Sequence, residues 1–566
     1  MARPVSCVLT PGPALLLCLQ LLFALVQHLQ AQLDTPEVIA DTSWGRIYGQ
    51  RKKTRDALEY YSFEGIPYAL PPLGFLRFAK PVPVIGRTLN PYKAYAVKPS
   101  CYGVGVTGPV SEDCLYLDIY VPGTPHQRRK SVMVFFHGGG FVTATPQPSV
   151  DAIMSQGGTI LVVVHYRLGP FGFLSGAERF LKGNFGLWDQ TMALRWVRSN
   201  IAAFGGDPGK VTIFGSSAGA ASVAYHVLAP PSKRFFQRAI MMSGSASATW
   251  AIQRDPRPVA RQLAENLNCS YPSDAVTDIH VRALVVTCLR LLKAEQIFQA
   301  GLNLFLTQST ATKLVEFLFV PVVDGEFVLE DPRVMLDNHT YLMNQGVIEK
   351  DIIVGVANNE GSLLFGNSAV PKPPDFGDFF DKDLIPRLLF QRYGVPASAS
   401  AVRAVSEYYS ANIPRQFLSA LGVAHAYADP AFVIPAIEFS RSIGDFQTLL
   451  KGRGKTYFYY FDYCPFYTGA LCMMHGLDNL YLFPPFQFID ASDDKITRMF
   501  VELLTSFSAS GVPRAADLGL RWATFSSFTG NNVLRLNGSP EMKPDLFSHK
   551  EEFWLKRVPT LISQNR

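Results

Sequence analysis

The residues with the most pointed chemistry in this 566-residue chain lie in Val211-Thr-Ile-Phe-Gly-Ser-Ser-Ala-Gly-Ala-Ala221. Apolar residues run up to Gly215, and small residues then open a helix-compatible stretch from Ser217 to Leu228. A serine nucleophile held on a tight strand-to-helix turn needs a strained backbone and neighbours without bulk. Gly215 and Gly219 meet that demand, which predicts a Ser217 hydroxyl raised above the end of a strand. The helix start behind it would offer backbone N–H groups and a positive dipole end to developing negative charge. A second cluster, Phe136-His-Gly-Gly-Gly-Phe141, follows an apolar run upstream. Consecutive glycines let backbone N–H groups approach a substrate oxygen without side-chain interference. Gly139, Gly140 and Ala218 are the expected oxyanion donors, and His137 is read as orienting its loop rather than as a base. The bland alternative, two flexible glycine turns, weakens because the clusters occur together and in this order.

These residues require rigid elements beneath them. Short apolar runs alternate with longer helical patterns, which predicts an α/β layer fold. Val132–Phe136, Ile160–His165, Val211–Phe214 and Ile352–Ala357 are the clearest strand candidates. Each is continuous rather than alternating, as expected for strands covered on both faces. Between the second and third, Asp189–Phe204 places Leu194, Val197 and Ile201 at helical spacing. The stretch from Asp255 to about Val320 is more helical and is read as an insertion over the sheet, with residues 32–566 forming one domain.

Composition agrees with a large buried interior: 48% hydrophobic, 12% aromatic and 17% charged residues exclude a mostly disordered chain. A net charge of +6 without a Lys/Arg block gives no reason to expect nucleic acid as a partner. At the start, Arg3 leads into an apolar run, Ala14 to Val26, that is too short to span a bilayer. Small Ala31 follows at a cleavage-like position, so residues 1–31 read as a signal peptide, with no transmembrane anchor expected and an extracellular, secreted product. An oxidising compartment permits disulfides, and Cys101/Cys114 and Cys269/Cys288 are the natural local pairs. Cys464 and Cys472 form a third pair or remain thiols; the sequence leaves both open. Asn268, Asn338 and Asn537 head glycosylation sequons, the last weakened by Pro540 after it.

Taken in order along the chain, these features resemble the type-B carboxylesterase family, which includes carboxylesterases, cholinesterases and non-catalytic relatives. The resemblance rests on Phe63-Glu-Gly-Ile-Pro-Tyr-Ala-Leu-Pro-Pro72 with Leu76-Arg-Phe78, on Ser111-Glu-Asp-Cys-Leu-Tyr-Leu-Asp118, and on Phe204-Gly-Gly-Asp-Pro208 running into Ser217. It implies an α/β-hydrolase fold, a central mostly parallel twisted sheet with helical insertions over the active site. It also implies a triad in chain order Ser, acid, His, with the acid just past a sheet strand and the His on a later loop. Ser217 is then the nucleophile; Glu360, in Asn358-Asn-Glu-Gly361, matches the family's acid and His475, in Met473-Met-His-Gly476, its base. Asp324 reads as a turn residue, and His425 and His549 lack that context. Arg77 with Glu112 and Arg167 with Asp189 fall where the family has buried ion pairs.

The implied reaction is hydrolysis of a small-molecule carboxylic ester through an acyl-enzyme, with no metal and no cofactor required. Two departures stand out. Ser216 replaces the glutamate that family members carry before the nucleophile, removing a carboxylate that would attract a cationic group. The segment Tyr102–Asp113 holds no Trp, the ring that cholinesterases offer to choline there. Trp250 matches a region that shapes the acyl pocket. Small, largely uncharged esters are therefore the expected substrates, and a weakly active or inactive cholinesterase-like binding or adhesion protein is the alternative.

Overall fold

A computed structural model describes residues 37–84, 91–123, 129–144, 148–269, 279–308, 316–363, 376–410, 420–464, 474–484 and 491–564. The signal-peptide expectation, residues 1–31, lies outside them, as do Cys472 and Met473.

The continuous apolar runs form the middle of one large sheet. Its strands begin with β1 Glu37–Asp41, β2 Arg46–Lys53, β3 Glu59–Pro67 and the short β4 Tyr92–Lys93. A separate pair, β5 Ser100–Cys101 and β6 Val110–Ser111, lies off the main sheet. The sheet resumes with β7 Tyr116–Pro122, β8 Lys130–Phe136, β9 Thr159–Val164, β10 Gly206–Ser216 and β11 Arg238–Met242. It ends with β12 Asp351–Ala357, β13 Thr456–Phe461, β14 Val533–Leu536 and β15 Glu541–Lys543. The order is β1-β2-β3-β7-β9-β8-β10-β11-β12-β13-β14-β15, with β4 on β2. From β9 to β14 every pairing is parallel, and both ends are antiparallel apart from the short parallel β2–β4 contact. This is the α/β-hydrolase architecture that the resemblance implied.

Parallel strands need crossover helices, and those helices bury both sheet faces. Val132, Val134 and Ile213 point into one core and Met133, Phe135 and Phe214 into the other. The expected helix at 189–204 runs Phe185–Asn200 and tightens into a 3-10 turn at Ile201–Phe204. The insertion folds as helices Arg257–Asn266, Ile279–Leu291 and Ala294–Thr307. Disulfides close Cys101–Cys114 and Cys269–Cys288 as expected, and Cys464 is disulfide-bonded too. Among the described residues no helix is long and apolar enough to cross a membrane.

Candidate active site

β10 ends at Ser216 and a helix, Ala218–Leu228, begins immediately, so Ser217 alone makes the turn. Its backbone sits at φ 57°, ψ −120°, a region that costs an L-residue conformational strain. Two glycines make the turn sterically feasible. A Cβ on Gly219 would stand 1.9 Å from the Phe136 carbonyl oxygen, and one on Gly215 would stand 2.5 Å from the Gly219 carbonyl carbon. The Ser217 N–H donates to the Met242 carbonyl at the end of β11, pinning the turn to the neighbouring strand (2.8 Å). Ser217 lines a cleft of about 590 Å³.

The three glycines after β8 reach the same cleft, with the Cβ position of Gly138 only 3.2 Å from Ser217 Cβ. Gly139 and Gly140 adopt φ of 104° and 60°, and Thr143 closes their loop by donating to the Gly139 carbonyl (2.8 Å). Their own N–H groups donate to no acceptor among the described residues. Ala218 is the first helical residue, so its N–H lacks an intrahelical acceptor. His137 stacks on Tyr166 at 4.5 Å with Nδ1 against the Gly138 carbonyl at 2.8 Å. Burial pushes His137 down to about 4, so it is neutral near pH 7 and Nδ1–H donates to that carbonyl. It holds the glycine loop, as expected.

Glu360 follows β12 in a 3-10 turn, is fully buried, and accepts from the Ala357 N–H at 2.6 Å. Its second oxygen lies 2.6 Å from His475 Nδ1. The His475 backbone N–H donates to Ser362 Oγ (2.9 Å), and the imidazole packs on the Phe432 ring at 4.8 Å. His475 and Ser217 line one cleft, and His475 Nε2 has no hydrogen-bond partner among the described residues. One imidazole nitrogen is thus committed to a carboxylate, and the other is unpartnered among the described residues of a cleft that the elbow serine also lines. Asp324 instead folds a turn, accepting from three backbone N–H groups, those of Glu326, Phe327 and Val328. His425 and His549 line no part of the cleft.

Three features escaped the sequence reading. Ser362, two residues past Glu360, anchors the His475 backbone; its signal was the triplet Glu-Gly-Ser. Asp478 is buried and accepts from the Tyr459 hydroxyl at 2.6 Å. Burial, reinforced by Glu360 and opposed by the Tyr459 hydroxyl, pushes its carboxyl up to about 6. The third is an aromatic wall. Phe298 and Phe305 come from the inserted helix Ala294–Thr307, Phe317 from the segment after it, and Phe432 from a distant helical turn. Trp250 joins them, 2% exposed, its indole N–H donating to the Ala431 carbonyl at 3.0 Å. Among the described residues that line the cleft, none is Asp, Glu, Lys or Arg. Ser216 takes the place of the usual glutamate and lines the cleft, and Tyr102 is the aromatic residue that the first disulfide loop contributes.

The scaffold pairs also form. Arg77 grips Glu112 through two bonds at 2.7 and 2.6 Å, and Arg167 grips Asp189 through two at 2.7 Å. Sequons place Asn268 and Asn338 on the surface and Asn537 half-buried.

A sequence profile of the carboxylesterase family matches residues 36–554. Mouse cholinesterase is 32% identical over 568 residues, covering 93% of this chain and 88% of that protein. A carboxylic ester hydrolase of Bombus ignitus is 31% identical, covering 85% of this chain and 87% of its own length. Mouse neuroligin-2 is 28% identical, covering 92% of this chain and 68% of that protein. With the family profile running across the sheet, the elbow and the glycine loop alike, the chain belongs to the carboxylesterase family.

Proposed function

We propose that this chain is a secreted serine esterase that hydrolyses small, largely uncharged carboxylic esters through an acyl-enzyme on Ser217. The observation that carries the reading is the buried Glu360–His475 pair, 2.6 Å apart, opening onto the same cleft as the elbow serine. Glu360 fixes the tautomer with the proton on Nδ1, which leaves Nε2 as a base. His475 takes the Ser217 proton as the hydroxyl attacks the ester carbonyl. The tetrahedral oxyanion is held by the N–H groups of Gly139, Gly140 and Ala218, worth about 3 kcal/mol per donor in comparable sites. His475 then protonates the departing alcohol, and water repeats the attack to release the acid. The lack of Asp, Glu, Lys and Arg among the described residues of the wall supports neutral substrates, and the phenyl and indole rings support apolar acyl groups.

Similarity to neuroligin-2 favours a second reading, a binding protein without turnover. Hydrolysis of p-nitrophenyl esters separates the two. Wild type is expected to turn over and Ser217→Ala to lose that activity; equal rates in both would remove the catalytic assignment. A panel of acyl lengths and choline esters then sets substrate preference. Secretion is supported by the disulfides and by the leader-like first 31 residues. N-terminal sequencing of protein from culture medium tests it, the mature chain starting after Ala31.

A further inference from the structure

A second cleft, of about 520 Å³, lies between the segment Phe78–Lys80, the loop Arg179–Gly183 and the helix Ile279–Leu291. Among the described residues it shares no lining residue with the ester cleft. Four cationic side chains among the described residues line it, Lys80, Arg179, Lys182 and Arg290, against the single carboxylate of Glu326. That carboxylate is already shared: Lys80 Nζ and Lys182 Nζ each lie 2.7 Å from one of its oxygens. The two arginines have no acidic partner among the described residues. Arg290 donates from Nε to the Arg77 carbonyl at 2.9 Å, and the Arg179 guanidinium sits 4.5 Å over the Phe180 ring.

Like charges gathered in a concave site repel one another unless a ligand of opposite sign joins them, and a cleft of one sign concentrates its field on such a ligand. Guanidinium forks match the paired oxygens of tetrahedral oxyanions, and ammonium groups add point charge. Arg290 is set in place by a rigid support, because the backbone of Arg77 that it grips is itself fixed by the buried Arg77–Glu112 pair. Lys80 rests on the Trp188 ring at 4.0 Å, which gives the cleft an apolar flank as well as charge.

We propose that this cleft is a binding site for a polyvalent oxyanion bearing sulfate or phosphate groups, separate from the ester site. It goes beyond the esterase reading and stands whether or not Ser217 turns over substrate. The test is calorimetric titration of the full chain with two probes, a heparin-derived sulfated disaccharide and pyrophosphate. Saturable binding of either supports the site, and the tighter probe says whether sulfate ester or phosphate is its ligand. Arg179→Glu, an exposed position, is expected to weaken binding about tenfold or more, the scale of a lost charged hydrogen bond. Arg46→Glu makes the same charge change at an exposed pair with Asp41 outside the cleft and is expected to leave binding within about twofold. Lys182→Ala provides a second reduction should Arg179→Glu fail to fold. No saturable heat with either probe, or equal weakening by the Arg179 and Arg46 reversals, would overturn the proposal.

Discussion

Glu360→Gln puts the proposed chemistry under the sharpest strain because the replacement is nearly isosteric. The wild-type carboxylate accepts twice, from Ala357 N–H at 2.6 Å and from His475 Nδ1 at 2.6 Å. An amide offers only one oxygen. If that oxygen faces Ala357, the amide nitrogen faces Nδ1 and forces it to accept, which moves the imidazole proton to Nε2 and removes the base. If the oxygen faces His475, two donors meet at Ala357 in a fully buried site, costing about 2 kcal/mol. The inactive orientation is then favoured by about thirtyfold, since 1.36 kcal/mol is tenfold. Loss of the negative charge that supports the imidazolium adds to this, for a total drop in kcat of about 10⁴-fold. The assay is p-nitrophenyl ester hydrolysis at saturating substrate, with circular dichroism confirming the fold. A kcat within tenfold of wild type would refute the proposed role of Glu360.

Other perturbations have equally defined outcomes. Gly139→Ala would place a Cβ 2.3 Å from the Thr143 carbonyl at φ 104°, displacing the glycine-loop N–H groups; kcat should fall about 10²–10³-fold with KM little changed. Trp250→Ala removes a buried ring and leaves the Ala431 carbonyl without its donor, so urea unfolding should show a loss of about 3–5 kcal/mol. Because Trp250 also lines the cleft, the same variant should gain relative rate on bulkier acyl esters. Asp478 titrates near 6 in the folded protein against an ordinary carboxylate value near 4, so folding favours its protonated form. Its contribution to stability is fully present below about pH 4 and is lost as pH rises through 6. Wild type should therefore lose about 2 kcal/mol relative to Asp478→Asn between pH 4 and 7, read as a diverging Tm; parallel Tm curves would contradict it.

The parallel strands were legible because burial on both faces favours continuous apolar runs, as in the five residues that follow Thr159 in Thr159–Val164. The first strands were not. Arg46–Lys53 buries only alternate positions and carries four cationic residues, so nothing in its composition announces a strand. The helix at Phe185–Asn200 begins before its readable periodicity, because its first turn holds Gly186 and two aromatic residues. At the site, the elbow and the glycine loop could be read directly, since each needs residues without side chains in a fixed order. Glu360 and His475 needed the family resemblance: 115 residues separate them, and no local spacing joins a carboxylate to an imidazole at that range. The aromatic wall lay beyond both, because Phe298, Phe317 and Phe432 meet only through tertiary packing. Asp478 was missed for a related reason, since burial rather than residue type sets its behaviour.

The most direct measurement is of the covalent intermediate itself. Wild-type protein is mixed with p-nitrophenyl acetate, quenched in acid and digested, and the acetylated peptide is sequenced by mass spectrometry. A single acetyl group on Ser217, absent from Ser217→Ala and accumulating within one turnover, is the expected result. Acetylation at another residue, or an unchanged level in Ser217→Ala, would contradict acyl transfer at the elbow.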